Sequence, residues 1–458
     1  MLTCNAAFLH PELMDVVRLF AGAEALAIDQ TSTYSDGVFQ NRVTVDGTAR
    51  TFTHPARVTD ELSYKSLAKR YAKLALYETL SERLHTELPW GALTGIRPTR
   101  LAYQELAAGR DFLPLFEQMH VGAENAALVG RVIAEQKPYY EREEGNCDLF
   151  VSLPFCPTKC EYCSFITAPI AATRKYLPDY LAALGRELAA AQPLIKNLRS
   201  VYVGGGTPFA PEAEELARVL AAIAPLRTNG CEYTVEAGRP DTFTREKLDV
   251  CKEYGVTRIC INAQSFSDAT LARIGRKHTA QAVRDAFALA ASYPFDVNCD
   301  LIAGLTGESF REFCASVDEA IALSPANITV HTLCLKKGAR LKEETTRLEE
   351  GELAEMIAYS RSALTAAGYA PYYLYRQKYM AGAHENVGWT KPGKACVYNI
   401  DVMEEICDNL AVGANAVSKK LFAGGARIER HGSPKDIPTY LNKTEKLISE
   451  RAALFARA

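Results

Sequence analysis

The sequence has no run of apolar residues long enough to cross a membrane. Its uninterrupted apolar stretches fall well short of the roughly 18 residues that a spanning helix needs. The amino-terminal stretch MLTCNAAFLHPELMDVVRLF is interrupted by Pro11, Glu12 and Asp15, so it does not form the apolar core of a signal peptide. We therefore expect a cytoplasmic protein.

The sequence also lacks an excess of charge of either sign. Its 458 residues carry 52 Lys and Arg against 55 Asp and Glu, a formal net charge of −3. This balance offers no general attraction to nucleic acid or to an anionic membrane. A hydrophobic content of 48% and a charged content of 23% are typical of a globular chain with room for two or three domains.

Cysteine is not organised as a disulfide scaffold. The chain has 13 cysteines, an odd number that is also small for its length. In a reducing compartment, a tight group of cysteines binds a metal or acts in catalysis, whereas scattered ones are usually small buried hydrophobes. The tight group is Cys156, Cys160 and Cys163, within LPFCPTKCEYCSF. Scattered cysteines in apolar runs are Cys231, Cys251, Cys260, Cys299, Cys314 and Cys334.

Residues 1–145 are predicted to form an N-terminal accessory domain of α+β type. Residues 41–53 alternate β-branched and polar side chains around Asp46 and Gly47, a pair that favours a hairpin turn. Residues 62–84 have the periodicity of a helix with Lys and Arg on its outer face. The charged stretch EREEGN then indicates a linker.

Residues 146–370 alternate short apolar runs with Ala- and Leu-rich segments such as 177–191, 213–223 and 310–322. Strands that alternate with helices predict a parallel sheet buried on both faces. Six such units are too few for a closed eight-stranded barrel, so we predict an α/β fold with a partial (β/α)6 barrel. Periodicity alone does not exclude a doubly wound sheet. The six runs are LFVSLPF, SVYVGGG, EYTVEA, RICINAQ, DVNCDLI and NITVHTL.

Residues 371–458 are predicted to form a mainly helical C-terminal region that covers the substrate at one end of the barrel. The region begins with PYYLYRQKYMAGAHENVGWTKPGKACVYN, which is rich in Tyr, Gly and Lys. Helical segments are predicted to follow from Asp401 and from Tyr440.

The clustered cysteines directly follow the first predicted strand of the barrel. Reactive groups in such folds lie at the carboxyl ends of the strands. Structural zinc needs four ligands, and Cys147 lies nine residues before Cys156, across the strand. A four-iron cluster with only three thiolates keeps one iron open, and the amino and carboxylate groups of a methionine moiety can close it. A zinc-binding protein without enzymatic activity is an alternative, but it requires a fourth ligand.

Two motifs at successive strand ends carry a family resemblance. The spacing C-x3-C-x2-C, followed by VGGGTP after the second strand, resembles the radical S-adenosylmethionine (SAM) enzymes. Within that superfamily, PFCPTKCEYCSF, GGGTP, QSF and DLIAGL resemble the oxygen-independent coproporphyrinogen III oxidases, or coproporphyrinogen dehydrogenases. The N-terminal unit and the YYLYRQK…ENVGW…YN segment are similar to a longer variant found in some Gram-positive bacteria.

The resemblance implies the composition of the site. The three clustered cysteines would ligate a four-iron, four-sulfur (4Fe-4S) cluster, and one or two SAM molecules would bind beside it. Each cofactor residue also has a structural explanation, such as a helix cap for Glu236 or Asp300 and a surface charge for Arg276. His331 is expected to be a core histidine. The implied cofactor-binding residues are Phe150, Tyr162, Gly205, Gly206, Thr207, Glu236, Gln264, Arg276 and Asp300.

The resemblance also implies a reaction in porphyrin biosynthesis. Reductive cleavage of SAM would give a 5′-deoxyadenosyl radical that takes a hydrogen from a propionate of coproporphyrinogen III. Loss of carbon dioxide leaves a vinyl group, and two rounds give protoporphyrinogen IX. A donor such as flavodoxin or ferredoxin would supply electrons. Cations would bind the propionates of this tetrapyrrole, and the C-terminal segment offers Arg376, Lys378, Lys391 and Lys394, unless these are exposed surface charges.

Two positions depart from the oxidase pattern. Phe165 stands where oxidases often carry a fourth cysteine, and this aromatic residue is shared with haem-chaperone relatives. Phe150 stands where a tyrosine contacts the first SAM. A haem-binding chaperone on the same scaffold is therefore one alternative. Another radical SAM activity, such as tRNA modification or haem ring opening, is a second, although the charge balance counts against tRNA.

Overall fold

The computed structural model describes residues 1–95, 97–165, 167–228, 230–334, 339, 350–377 and 384–457. The chain forms two compact units, Met1–Gly130 with Tyr375–Glu385 and Arg131–Leu374 with Asn386–Ala458. The boundaries predicted after residues 145 and 370 differ from this division. The physical reason at the second boundary is that the strands within Asn386–Gly432 join the sheet of the second unit.

The first unit contains a sheet in the strand order β1-β2-β3-β4. The predicted hairpin is confirmed: Val45 pairs with Thr48, and Asp46 and Gly47 have φ of 47° and 83°, as a tight primed turn requires. Helix α2 begins after Asp60, whose side chain accepts from the backbone of the third helical residue. The elements are β1 Leu2–Cys4, α1 His10–Val17, β2 Ile28–Ser35, β3 Val38–Val45, β4 Thr48–Pro55, α2 Glu61–Leu84, α3 Pro98–Ala107 and α4 Leu113–Gln118, after which α5 Ala123–Gln136 leads into the second unit.

The second unit is built on one large sheet with helices between its strands. The predicted helices at 177–191, 213–223 and 310–322 are confirmed as α7, α8 and α12. The elements are β5 Asn146–Leu153, β6 Phe155–Cys156, β7 Ala168–Pro169, α6 Ile170–Thr173, α7 Leu177–Ala191, β8 Asn197–Gly205, α8 Ala213–Ile223, β9 Glu232–Gly238, α9 Arg245–Glu253, β10 Arg258–Gln264, α10 Asp268–Arg273, α11 Ala280–Ala290, β11 Asp296–Ala303, α12 Phe310–Leu323, β12 Asn327–Thr332, α13 Glu350–Ala366, β13 Ala370–Tyr375, β14 Asn386–Thr390, α14 Val397–Glu404, β15 Asp408–Val412, β16 Val417–Phe422, β17 Arg427–Gly432 and α15 Ile437–Phe455.

The order of the strands distinguishes a partial barrel from a doubly wound sheet. Within the described part of the chain the order is β13-β14-β12-β11-β10-β9-β8-β5-β15-β16-β17. From β5 through β12 each new parallel strand adds on the same side of the last. A doubly wound sheet reverses this direction at a switch point, and no reversal occurs between β5 and β12. The predicted α/β partial barrel is therefore confirmed.

The C-terminal residues extend the sheet at both edges. Strand β15 pairs in parallel with β5, and β14 pairs in antiparallel fashion with β12. The prediction of a helix beginning at Asp401 is wrong. Helix α14 begins at Val397 and ends at Glu404, and the chain then enters β15. The helix predicted from Tyr440 is confirmed as α15. Its buried Arg451 donates to Glu187 of α7 at 2.7 Å, so α15 is fixed to the barrel.

The strands of the barrel are buried on both faces, as predicted. Every residue of β10 is buried. Of the scattered cysteines, those in strands or facing the core are buried, whereas Cys314 and Cys334 are half-buried. Across the described residues, no helix has both the length and the apolar character needed to cross a bilayer.

Candidate active site

The clustered cysteines lie on a short loop at the carboxyl end of β5. Cys156 lies in β6 and is half-buried, Cys160 is buried, and Cys163 is half-buried. The loop is ordered by backbone bonds: β6 pairs with β7, and the Cys163 amide donates to the Cys160 carbonyl at 3.2 Å. Burial raises the pKa of the Cys156 and Cys163 thiols. Three thiols are thus presented on one structured turn.

The glycines at the end of β8 allow this strand to pack closely against residues 153–155, which lead into the cysteine loop. The Gly206 amide donates to Leu153 O at 2.8 Å, and the Thr207 amide donates to Phe155 O at 2.7 Å. A Cβ on Gly206 would lie 2.5 Å from Phe155 O, so only glycine fits. Gly205 has φ of 101°, a conformation that side chains rarely adopt. The predicted residues Gly205, Gly206 and Thr207 therefore support the loop, as well as exposing backbone beside it.

Thr207 also contacts Cys156 directly. Its Oγ1 donates to the Cys156 sulfur at 3.5 Å. On the other side of the loop, the Glu161 amide donates to Ile274 O at 3.0 Å. Contacts from β8 and from the end of α10 thus hold the two ends of the loop.

Glu236 lies half-buried near the end of β9. Its Oε1 accepts from Asn262 Nδ2 at 3.3 Å. Burial raises the pKa of Glu236 to about 8, and the neighbouring Asp300 carboxylate adds to the rise. The prediction of a helix cap for Glu236 does not apply, because its carboxyl faces side chains of the neighbouring strands. Glu236, Asn262 and Asp300 are brought together at the strand ends.

Arg276 is buried and joins β10 to the cysteine loop. Its Nη1 donates to Asn262 O at 2.8 Å, and its Nη2 donates to the Tyr162 hydroxyl at 2.9 Å. It is therefore not the surface charge that the sequence allowed. Burial raises the pKa of Tyr162, so its hydroxyl stays neutral. Tyr162 also packs on a small apolar cluster that includes Leu271.

Gln264 ends β10 in a left-handed conformation with φ of 71°. The register of β10 shifts at this point, which turns the side chain away from the regular strand position. Gln264 Oε1 and Asn262 Oδ1 are buried and have no hydrogen-bond partner in the part of the chain described. Buried polar atoms are nearly always paired, so these two acceptors indicate a site for a donor ligand.

Asp300 and His331 face each other from β11 and β12. Asp300 Oδ2 lies 3.7 Å from His331 Nε2, and about a quarter of each side chain is exposed, 22% and 26%. His331 is therefore not the core histidine that was expected. The imidazole therefore lies next to a carboxylate, and both side chains remain partly accessible to a ligand.

Phe150 does not lie among the polar residues at the strand ends. Its ring stacks with Tyr202 at 6.2 Å and with Tyr398 of α14 at 6.3 Å, and the two tyrosines stack on each other at 4.5 Å. These three aromatic rings form one stack. Tyr398 was not predicted, because it lies far along the chain in a segment whose sequence gives no strand or helix period.

Sequence reasoning also missed Arg239, which follows β9. Its buried guanidinium donates to Thr158 Oγ1 at 2.5 Å, in the middle of the cysteine loop. Asp241 accepts from the same guanidinium at 2.9 and 2.6 Å. Behind them lies His278, whose Nδ1 is 3.9 Å from Asp241 Oδ1 and whose pKa is lowered by burial to about 4. The sequence GRPD carried no signal of this contact.

Two of the predicted cationic residues, Lys391 and Lys394, lie away from the cysteine loop. Lys391 Nζ donates to Ser324 Oγ at 2.6 Å, and Lys394 Nζ lies 2.8 Å from Asp296 Oδ1, which starts β11. Both lysines are therefore at the amino ends of the strands, opposite the cysteines. Arg376 packs within the first unit, where its guanidinium lies over the Trp90 ring at 5.3 Å. Lys378 lies outside the described residues.

A second group of ligand-type atoms lies at the amino ends. Oxygen or sulfur atoms of Asp148, Asp401 and Cys407 lie within 4.8 Å of one another and are buried. Arg199 donates to Asp401 at 2.7 Å, and Cys407 donates to Asp148 at 3.1 Å. Because the arginine supplies the positive charge and the thiol a hydrogen bond, the group is satisfied without a metal ion.

Comparisons with known proteins agree with this architecture. The radical SAM superfamily matches residues 150–320. The chain is 33% identical to the oxygen-independent coproporphyrinogen-III oxidase-like protein HemZ of Bacillus subtilis, over 89% of this chain and 85% of that protein. It is 30% identical to the heme chaperone HemW of Haemophilus influenzae, over 66% of this chain and 77% of that protein.

A solved structure shows the same fold. The coproporphyrinogen III oxidase HemN from Escherichia coli, described as a radical SAM enzyme, superposes with a TM-score of 0.55 at 19% identity. The match covers 71% of this chain and 73% of that one. At this identity the likeness speaks for the fold alone.

Fold and matches together define a radical SAM protein, the class that works with a 4Fe-4S cluster and SAM. The chain belongs to the family of the oxygen-independent coproporphyrinogen III oxidases and their relatives. Its residues fit both cofactors. Thiolates are the ligands of iron–sulfur clusters, and the loop supplies three of them. The unpartnered acceptors Gln264 Oε1 and Asn262 Oδ1 suit a ligand that brings an amino group.

Proposed function

We propose that this chain oxidatively decarboxylates two propionates of coproporphyrinogen III to vinyl groups and so forms protoporphyrinogen IX. The observation that carries the proposal is the extent of the match to the oxidase-like relative. That match covers 89% of the chain, so it includes most of the first unit as well as the barrel. The match to the heme chaperone covers 66%.

In this proposal Cys156, Cys160 and Cys163 ligate the cluster and leave one iron open to SAM. When bound, these cofactors supply a carbon radical that can take a hydrogen atom. The residues at the strand ends orient SAM. Glu236 and Gln264 accept hydrogen bonds from its amino group or ribose, and Tyr162, fixed by Arg276, lies along its adenine.

The glycine turn is proposed to serve both cofactors. Gly205, Gly206 and Thr207 hold the cysteine loop, and their exposed backbone contacts the methionine part of SAM. Asp300 and Arg276 line the pocket for a second SAM or for the substrate. Phe150 lies in an aromatic stack and offers no hydroxyl, so it can contribute only apolar contact.

The reaction has a defined balance of atoms and electrons. For each propionate one hydrogen atom leaves the β-carbon, the bond to the carboxylate carbon breaks, and carbon dioxide departs. One electron must then pass to an acceptor, and one electron must enter from a low-potential donor such as flavodoxin or ferredoxin. The protein's part is to hold the β-carbon in place and to keep water and oxygen out.

The test is an anaerobic assay of the full chain reconstituted with iron and sulfide. With SAM, a chemical reductant, an electron acceptor and coproporphyrinogen III, we expect a monovinyl and then a divinyl product by chromatography, with two carbon dioxide molecules per substrate. Cys163→Ser should abolish turnover, because a cluster ligand is lost. Cys314→Ser, at a half-buried position in α12, should leave turnover within about twofold of the wild type. Cleavage of SAM without a vinyl product would contradict the proposed substrate.

Phe165 favours a second candidate, a heme-binding chaperone. Its side chain is 64% exposed at the end of the cysteine loop, where a flat apolar ligand can rest on it. This function predicts stoichiometric heme binding, seen as a Soret band, and no vinyl product. Phe165→Ser should then weaken heme binding. In the favoured proposal the same variant should leave decarboxylation intact.

A further inference from the structure

We propose that Arg239 and Asp241 set the reduction potential of the cluster bound by the cysteine loop, as a fixed pair of opposite charges. Both are positioning residues that act through the loop. The inference rests on the cluster and does not depend on which substrate the enzyme takes.

The first step is the contact between Arg239 and the loop. Arg239 is 3% exposed and directly follows β9. Its Nη1 donates to Thr158 Oγ1 at 2.5 Å and lies 3.4 Å from Thr158 O. Thr158 is flanked by Cys156 and Cys160, two positions away on either side. A buried cation is therefore hydrogen-bonded to the centre of the segment that would wrap the cluster.

The second step is the fixed orientation of that cation. Asp241 accepts from Arg239 Nε at 2.9 Å and from Nη2 at 2.6 Å, the two-point geometry that holds a guanidinium in plane. Arg239 O also accepts from Thr242 Oγ1 at 2.7 Å. The arginine is held from both its side chain and its backbone, while Asp241 remains partly exposed, with 27% of its side chain accessible.

The third step is electrostatic. Reduction adds one negative charge to an iron–sulfur cluster, and nearby charges and hydrogen bonds shift its potential. A fixed cation beside the loop favours the reduced cluster, and the carboxylate that accompanies it opposes this effect. The two residues should therefore act with opposite signs, although both help to hold the same loop.

The experiment is an EPR-monitored redox titration of the reconstituted full-length protein without substrate. Arg239→Gln should lower the fraction of reduced cluster at a fixed potential several-fold, and Asp241→Asn should raise it. A tenfold change corresponds to about 59 mV for one electron. The double variant should lie near the wild type. Arg239→Lys, which keeps the charge, should restore most of the potential lost in Arg239→Gln.

A matched control is the half-buried pair Arg284 and Glu319 on α11 and α12, joined at 2.7 Å between Nε and Oε1. Arg284→Gln removes the same charge from a residue that has no hydrogen bond or ion pair to the loop within the described residues, and it should leave the potential unchanged. Iron and sulfide contents are measured for every variant. If Arg239→Gln does not retain iron, Asp241→Asn still decides, because a smaller fraction of reduced cluster in that variant would overturn the proposal. Shifts of the same sign in Arg239→Gln and Asp241→Asn, or no shift in iron-replete variants, would overturn the proposal.

Discussion

Among the polar residues at the strand ends, Glu236 has an ionisation that should affect ligand binding. Its pKa is raised to about 8 by burial and by the Asp300 carboxylate. Glu236 therefore holds a proton at neutral pH when no ligand is bound. A cationic amino group placed beside it would favour the charged form and release that proton. Ligand binding at this site should thus depend on pH.

Glu236→Gln should stabilise the cofactor-free protein, and the gain in unfolding free energy should increase as pH rises. The folded-state pKa lies above the ordinary value of 4.5, so the wild type loses stability between about pH 4.5 and 8 and loses no more above that. One pKa unit corresponds to about 1.4 kcal/mol, and because water reaches the half-buried carboxyl we expect a gain of about 2 kcal/mol at pH 8. Urea unfolding at pH 5 and pH 8 measures it.

The control for this prediction is Glu214→Gln, at an exposed position in α8. It should change the free energy of unfolding by less than about 0.5 kcal/mol at either pH. If Glu236→Gln changed the free energy of unfolding equally at both pH values, burial would not be raising the pKa of this carboxyl.

At the scale of elements, the cysteine loop takes its shape from two strand ends. The backbone of Gly206 and Thr207 bonds to Leu153 and Phe155, which lead into Cys156. This arrangement needs strand β8 to approach β5 without a side chain between them. The glycine motif is therefore a packing requirement of the loop in addition to any contact with a ligand.

Gly206→Ala should displace the cysteine loop. The added methyl group would lie 2.5 Å from Phe155 O and 2.8 Å from Leu153 O, both backbone atoms that cannot move independently. We expect a loss of about 2–3 kcal/mol in unfolding free energy and a lower iron content after reconstitution.

Gly185→Ala, in helix α7, is the matched control because nothing lies within 4 Å of the new methyl group. It should stabilise the protein by about 0.5–1 kcal/mol, since alanine favours a helix more than glycine does. Normal stability and full iron content in Gly206→Ala would refute the packing account.

At the scale of the whole barrel unit, the two ends of the parallel strands differ in character. The eight residues of β5, at about 3.3 Å each, separate the ends by roughly 25 Å. The carboxyl ends carry half-buried acids and unpartnered acceptors. At the amino ends, Arg258 donates to Asn298 Oδ1 at 2.8 Å and lies 3.2 Å from Glu232 Oε2. The amino ends therefore contribute stability, and the carboxyl ends are available for chemistry.

Variants at the amino ends should separate stability from activity. Arg258→Met would leave the half-buried Glu232 without its cation and should cost about 3 kcal/mol. Lys391→Ala with Lys394→Ala should cost less than about 1 kcal/mol and leave turnover unchanged, because both lysines pair at the surface of this end. Chemical unfolding and the decarboxylation assay measure the two effects. Loss of turnover in the lysine variant, with normal stability, would indicate that the substrate binds at the amino ends of the strands and would contradict this account.

The sequence alone determined the features that depend on local pattern. The alternation of apolar runs and helical segments predicted the barrel strands from β5 to β12 and helices such as α7. Asp46 and Gly47 predicted the hairpin, since both accept a positive φ. The spacing of Cys156, Cys160 and Cys163 after a strand indicated the reactive end of the sheet, because parallel strands all end there.

Only the tertiary structure decided contacts between segments far apart in the chain. Arg239 meets Thr158 across 81 residues, and Tyr398 stacks on Phe150. The positions of Lys391 and Lys394 were also decided by the tertiary structure. Their charge suggested propionate binding, but the strand register places them at the amino ends of the strands, opposite the cysteines. Such contacts leave no local period or turn signal, because they arise from how whole strands align when the sheet forms.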